Sequence, residues 1–289
     1  MKLIIPSYNR PETIKTPFLE VFKDFEKIIL LHNDNEYNNY IKFNDYKDMQ
    51  LVVTNVNKGG KAGQIRYAVN NILSNNEWAI FADDNIDYIY GIDEAHWKSF
   101  EYTNKNSTHW NNIKSDIFSS RLKELIKEAE RVNAHLIGFL STNNYFFANK
   151  KFKYFGFCHG KLTLWKKDDL FVFDNFDLKS LNDFHNTARH LVNYGVVLVN
   201  DYMHPIAKYF QKGGIGSKED RKQDRINNIN FLISFYPELI KTKKRNDNYP
   251  DARFVHLSKK NFINWRNKYI NFIKEYTFDI DNVRWVKND

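Results

Sequence analysis

The chain has 289 residues, 42% of them hydrophobic, 16% aromatic and 27% charged, with a formal charge of +8 at neutral pH. That length and apolar content support a sizeable core, as one large α/β domain or two small ones, and exclude disordered, collagen-like and coiled-coil chains. No run approaches the ~20 apolar residues of a bilayer span. Residues 1–6 pass straight into an apolar strand without a signal-peptide pattern, and the single cysteine, Cys158, cannot form an internal disulfide, so a reducing, cytoplasmic setting is expected.

Residues 2–6 are a short apolar run closed by Pro6, and the runs 27–32, 50–54 and 78–82 repeat the type, as buried parallel strands do. Helical patterns lie between them at 11–25, 34–43 and 61–75, the last with Ile65, Ala68, Val69, Ile72 and Leu73 on one face. This alternation predicts a doubly wound, mostly parallel sheet flanked by helices. After Asp84 come a polar stretch, 102–112, and a helix carrying Phe118, Leu122, Leu125, Ile126, Ala129 and Val132. Strands are predicted at 135–140, 161–165 and 196–200, with an amphipathic helix from Leu181 to Val192 that Gly195 ends. Beyond Met203 the chain reads as a loop around Gly213, Gly214 and Gly216, a helix to Phe235 and a basic helical segment at 259–274. The expected organisation is a main α/β part, 1–205, divided into a first half, 1–90, and a second half, 91–205. A basic loop and helical extension, 206–289, belongs to the same domain.

The positive charge is localised. Residues 208–268 hold 15 Lys or Arg against 6 Asp or Glu, an excess as large as that of the whole chain, interleaved with Tyr209, Phe210, Tyr236, Tyr249 and Trp265. A polyanion suits such a surface, and so does plain solvation. The bias toward Asn, Lys, Ile, Tyr and Phe is that of an AT-rich genome and says nothing of chemistry.

In an open parallel sheet, ligands bind beyond the carboxyl ends of the strands. After the first strand stand Pro6, Ser7, Tyr8 and Arg10, which offer a hydroxyl, a stacking ring and a guanidinium suited to phosphate. After the third stand Lys58, Gly60, Lys61 and Arg66, where glycine allows close backbone approach and a cationic helix start favours an anion. After the fourth stand Asp83, Asp84 and, two residues past Asn85, Asp87. Taken singly, a proline can simply stop a strand and a carboxylate can simply cap a turn. Together they occupy one sheet edge, where a divalent cation bridging Asp84 to a diphosphate would explain paired carboxylates beside a cationic loop.

At this point the chain resembles the GT-A glycosyltransferases. The resemblance lies in the opening Ile4-Ile5-Pro6-Ser7-Tyr8-Asn9-Arg10, the segment Gly60-Lys61-Ala62-Gly63 before a helix, and the apolar strand entering Asp83-Asp84-Asn85, similar to the family's DxD-type motif. It covers about the first 90 residues and implies a nucleotide-sugar donor, expected to be a UDP-sugar, with Mn or Mg held by Asp84. Asp83 goes on the ribose or also on the metal. The departure is Asn85, standing where the motif's last acid would be. The resemblance also implies an acceptor-side base at a helix start, here Asp183, removing the acceptor hydroxyl proton in an inverting transfer. A dipole-satisfying carboxylate is the alternative. Gly213, Gly214 and Arg221 are expected to contact phosphate, with His204 as a further metal ligand or a structural histidine. His159 and Gly160 are placed on the acceptor pocket.

The second half is similar, more loosely, to the phage and TET-associated DNA glycosyltransferases, through the opening motif, the Lys-Gly-Gly loop at 58–60, and the Gly213-Gly214 loop before an Arg-bearing helix ending in Tyr236-Pro237. That likeness implies transfer to hydroxymethylated pyrimidines in DNA, in the host cytoplasm for a phage enzyme, and it agrees with the local charge. The alternatives are a surface polysaccharide or protein acceptor and a non-catalytic nucleic-acid-binding module. Carboxylates that repel phosphate disfavour the last.

Overall fold

The computed structural model describes residues 1–42, 48–56, 60–92, 110–141, 149–171, 178, 180–207, 219, 221–255, 258–279 and 281–288. Lys58, Gly213, Gly214 and Gly216 fall outside them, as do Tyr209 and Phe210. Four strands build the first half: β1 (Lys2–Pro6), β2 (Glu26–Leu31), β3 (Gln50–Val53) and β4 (Trp78–Ala82). They pair in parallel in the order β3-β2-β1-β4, with Ile4 of β1 opposite Ile28 on one side and Phe81 on the other. The connecting helices are α1 (Thr16–Val21), α2 (Asp34–Tyr40) and α3 (Lys61–Asn71). The helix expected at 11–25 is divided into a 3-10 turn, Pro11–Thr13, and α1. Pro17 lacks the N–H that would continue the turn, so the helix restarts there.

Beyond β4 the sheet continues with β9 (Leu162–Lys166), β7 (Leu136–Phe139), β10 (Leu198–Asp201) and the edge strand β8 (Asn149–Lys153). β9 runs antiparallel between β4 and β7, and β10 runs parallel to β7. The result is a mixed α/β fold around a mostly parallel eight-stranded sheet. A second, antiparallel sheet pairs as β11-β5-β6, from β5 (Ile86–Ile92), β6 (Trp110–Asn112) and β11 (Met203–Ala207).

Side chains alternate between the two faces of the main sheet. Leu3 and Ile5 join one core cluster with Phe18 and Phe22 of α1 and Phe118, Leu122 and Leu125 of α4 (Ser115–Arg131). Ile4 joins the other, with Ile65 and Val69 of α3 and Ala188 and Leu191 of α5 (Asn182–Tyr194). That second cluster also takes Leu232 and Phe235 of α6 (Lys222–Phe235) and Phe262, Trp265 and Tyr269 of α7 (Lys259–Glu275). Two hairpins complete the C-terminal part, β12 (Ile240–Lys243) with β13 (Asp251–Phe254) and β14 (Tyr276–Asp279) with β15 (Arg284–Lys287). The segment expected to be loop and helix thus carries strands as well. Among the described residues no helix is long and apolar enough to cross a membrane.

Candidate functional site

The carboxyl ends of β1 and β4, the residues before β9 and the first turn of α5 open into one cleft of about 1010 Å³. Its inner wall carries Ser7, Arg10, Lys61, Asp83, Asp84 and Asp183. Arg221, Arg225 and the β12–β13 hairpin, from the C-terminal part of the chain, supply the remaining, outer wall.

Asp84 lies 2% exposed at the end of β4. Arg10 Nη2 donates to its Oδ1 at 2.5 Å and Arg10 Nε to its Oδ2 at 3.2 Å, while Ser7 Oγ donates to Oδ2 at 2.6 Å. Since the Ser7 proton is spent on Asp84, the Tyr40 hydroxyl donates to Ser7 across 2.7 Å and in turn accepts the Arg10 backbone N–H at 3.1 Å. Burial pushes the Asp84 carboxyl up, and the Arg10 guanidinium and Ser7 hydroxyl work against it. Arg10 was expected on a phosphate and Asp84 on a metal. They are bound instead to each other, a fork-on-carboxylate pair that holds the β1 loop against β4.

Lys61, at the first position of α3, forms an ion pair with Asp83 and donates to the Gly160 carbonyl at 2.7 Å. The Gly160 N–H points the other way, toward Asp183 Oδ2 at 3.4 Å. A Cβ at position 160 would sit 3.1 Å from the Asp183 Cβ, tighter than an ordinary contact, so glycine lets this strand entry lie close against the start of α5. One residue, Gly160, therefore links the group expected at the donor, through its carbonyl, to the group expected at the acceptor, through its N–H. His159 precedes it, with Nδ1 accepting the Lys161 N–H at 3.4 Å, which puts the proton of the neutral ring on Nε2. Burial pushes the His159 pKa down, against the pull of Asp183, and burial lowers Lys161 too.

These donors do not fit the divalent cation that the resemblance implies. Asp84 already accepts three hydrogen bonds and Asp83 is paired with Lys61. Among the described residues no three His, Cys, Asp or Glu side chains converge as a metal site would need. His204 is fully buried on β11, donates from Nδ1 to the Leu140 carbonyl at 2.7 Å, is held neutral by burial, and is not part of the cleft lining.

Pro6 and Tyr8 line the cleft, the Tyr8 ring edge-on to His32 with centroids 4.8 Å apart. Gly60 caps α3, and Arg66 on the same helix lies outside the lining, as does Asp87, buried in β5. The rings expected to interleave with charge are mostly core. Tyr236 and Trp265 are buried, the indole N–H of Trp265 donating to the Pro237 carbonyl at 2.7 Å, and Tyr249 lies under Arg225. Charge does reach the cleft: Lys243, Arg245 and Arg253 are exposed along its rim, and Arg225 and Arg245 both engage Asp251.

Sequence reasoning missed three features. Leu181 precedes α5 in the left-handed region at φ 63°, a cost that bulky residues bear where the surroundings impose it. Gly160 carries a double role that no motif marks. The β12–β13 hairpin, with its Ile-Lys-Thr-Lys alternation, supplies part of the rim; that period-2 pattern was the available signal.

No family model matches the chain, and no curated protein does. Among solved structures, the chain is similar to S. aureus TarS 1–349, at 13% identity over 93% of this chain and 70% of that one, with a TM-score of 0.44. It is similar to the same protein in complex with UDP-GlcNAc at 14% identity, 93% and 71% coverage and a TM-score of 0.45. A third similar structure is 4-diphosphocytidyl-2C-methyl-D-erythritol synthase from Anaerococcus prevotii, at 10% identity over 76% and 93% of the two chains, with a TM-score of 0.36. Likeness at this level carries no argument, so the functional reading rests on the cleft itself.

Proposed function

We propose that the chain is a glycosyltransferase that moves a sugar from a nucleoside-diphosphate sugar, a UDP-sugar in the first instance, to an acceptor hydroxyl. The observation that carries this reading is the Lys61–Gly160–Asp183 connection, which sets a cation at the strand ends on the carbonyl, and a carboxylate at a helix start on the N–H, of one residue in one cleft. Asp183 takes the acceptor proton as the hydroxyl oxygen attacks the anomeric carbon. The bond from that carbon to the diphosphate oxygen breaks, and the leaving negative charge falls on the Lys61 side. Attack opposite the leaving group inverts the anomeric centre.

The acceptor in this reading is an anionic polymer, because Lys243, Arg245 and Arg253 make the exposed part of the lining cationic. DNA bearing hydroxymethylated pyrimidines is the finer proposal. Burial of Tyr236 and Trp265 removes two rings that would hold a flipped base, and that observation favours a second reading, a surface polysaccharide or protein acceptor. The test is intact-mass analysis after incubation with a panel of nucleotide sugars and either hydroxymethylated DNA or phosphate-bearing glycan. A sugar-sized gain on one acceptor identifies donor and acceptor together. No gain on any acceptor, with no donor hydrolysis, overturns the reading.

A further inference from the structure

The inner wall of the cleft carries its own counter-charges, and their arrangement bears on how a diphosphate would be held. Each Asp at the end of β4 is already matched to a cation, Asp84 to Arg10 and Asp83 to Lys61. Asp84 is the more deeply committed: its side chain is 1% exposed, and a metal would have to displace both the guanidinium fork and the Ser7 hydroxyl. Asn85, third in the run, brings no charge for a hard cation.

Lys61 is differently placed. Its ammonium has three donor hydrogens. Two are directed to Asp83 and the Gly160 carbonyl, which fix the amine at the mouth of α3 with its side chain 25% exposed. The third remains for an incoming oxygen anion without breaking either contact. Lys161, also on the lining, adds a second positive charge beside Asp83. Over the whole described lining eight Lys or Arg stand against four Asp, so the cleft holds an excess of four positive charges before any ligand enters. A diphosphate needs no added cation to meet a complementary field here.

Resting on the nucleotide-sugar reading, we propose that this site binds and releases its nucleoside diphosphate without a divalent cation, with Lys61, positioned by Asp83 and the Gly160 carbonyl, as the leaving-group cation. The bond from the anomeric carbon to the diphosphate oxygen breaks, its electron pair stays on that oxygen, and the Lys61 N–H meets the charge. Asp83 is a positioning residue, and Asp84 holds Arg10 and the loop after β1.

The experiment is calorimetric titration of the full chain with UDP and with UDP-sugars, once with chelator and once with Mn²⁺ or Mg²⁺, alongside titration of Mn²⁺ alone followed by its electron-spin signal. The expected result is a UDP affinity that changes by less than about threefold between the two conditions. Lys61→Met should lose about ten- to a hundredfold, the share of one charged hydrogen bond, while its melting curve stays cooperative. Lys61→Arg should recover part of that loss. Binding that appears only with the cation, or tight uptake of Mn²⁺ by the protein alone, overturns the proposal and leaves the nucleotide-sugar reading standing. Failure of every nucleotide to bind in both conditions overturns that reading, and this proposal with it.

Discussion

The two walls of the cleft hold charge in opposite ways. On the inner wall, Arg10 and Asp84 meet in a closed pair with the carboxylate buried, and Lys61 is held by Asp83 and a backbone carbonyl. On the outer wall, Lys243, Arg245 and Arg253 are exposed, with Asp251 as a shared acid among several cations. Buried, mutually fixed charges keep their geometry and resist screening, as chemistry requires. Exposed like charges attract at a distance and are weakened by salt, as recognition of a polymer requires. The inner wall should therefore respond to substitution in stability and turnover, and the outer wall in affinity and ionic strength.

The comparison breaks most visibly at Asp84. Asp84→Ala leaves the Arg10 guanidinium without its partner beside a buried Ser7, and should cost roughly 3–5 kcal/mol in urea unfolding. A loss below about 1 kcal/mol would mean that the pair is no more than a surface contact. Next comes Asp183→Asn, which keeps size and removes basicity. Transfer should fall about 100-fold with donor affinity retained, and an equal loss of donor affinity would reassign Asp183 to the donor side.

Acid should attack the inner wall from behind. His190 on α5 is buried against Trp165 and Phe171, and burial pushes its pKa down to about 3. The unfolded chain binds this proton near pH 6.5 and the folded chain does not, so stability is full above that pH. It declines by up to roughly 1.4 kcal/mol per unit as pH falls toward 3. His190→Gln should flatten that slope in melts recorded across the range. The smallest effect belongs to the rim. Lys243→Glu with Arg253→Glu removes the excess positive charge of the lining, and should weaken the anionic acceptor more than it weakens UDP. On duplex DNA the log-log salt slope should shallow by roughly 0.9 for each phosphate that the rim no longer neutralises. An unchanged slope would make the rim a solvated surface.

How much of this was legible depends on the range of the interaction. β1, β2 and β4 are buried along most of their length, so they read as continuous apolar runs, whereas β3, at the sheet edge, is half-buried, and Gly195 marked the end of α5 through its left-handed φ of 76°. The insertion of antiparallel β9 between β4 and β7 left no local trace, since an apolar run looks the same in either direction. The site residues were found by type and place, but Arg10 and Asp84 are 74 positions apart, and no spacing rule says that two groups suited to phosphate and metal will neutralise each other. The rings at Tyr236 and Trp265 misled for a related reason. On a basic helix they resemble stacking platforms, whereas the other side of that helix needs large apolar groups to reach the sheet.

That reach has a consequence for how the chain is made. Ile4 of the first strand and Trp265 of α7 belong to one core cluster, which α3 begins to cover and which is complete only once residues 259–275 are in place. The first half emerges with α3 against part of that face and with the Arg10–Asp84 clasp available to tie β1 to β4, while the apolar groups that α5, α6 and α7 later meet are open to water or to other chains. A chain cut before Phe262 would lack the α7 side of that core, and is expected to aggregate more readily than the full chain.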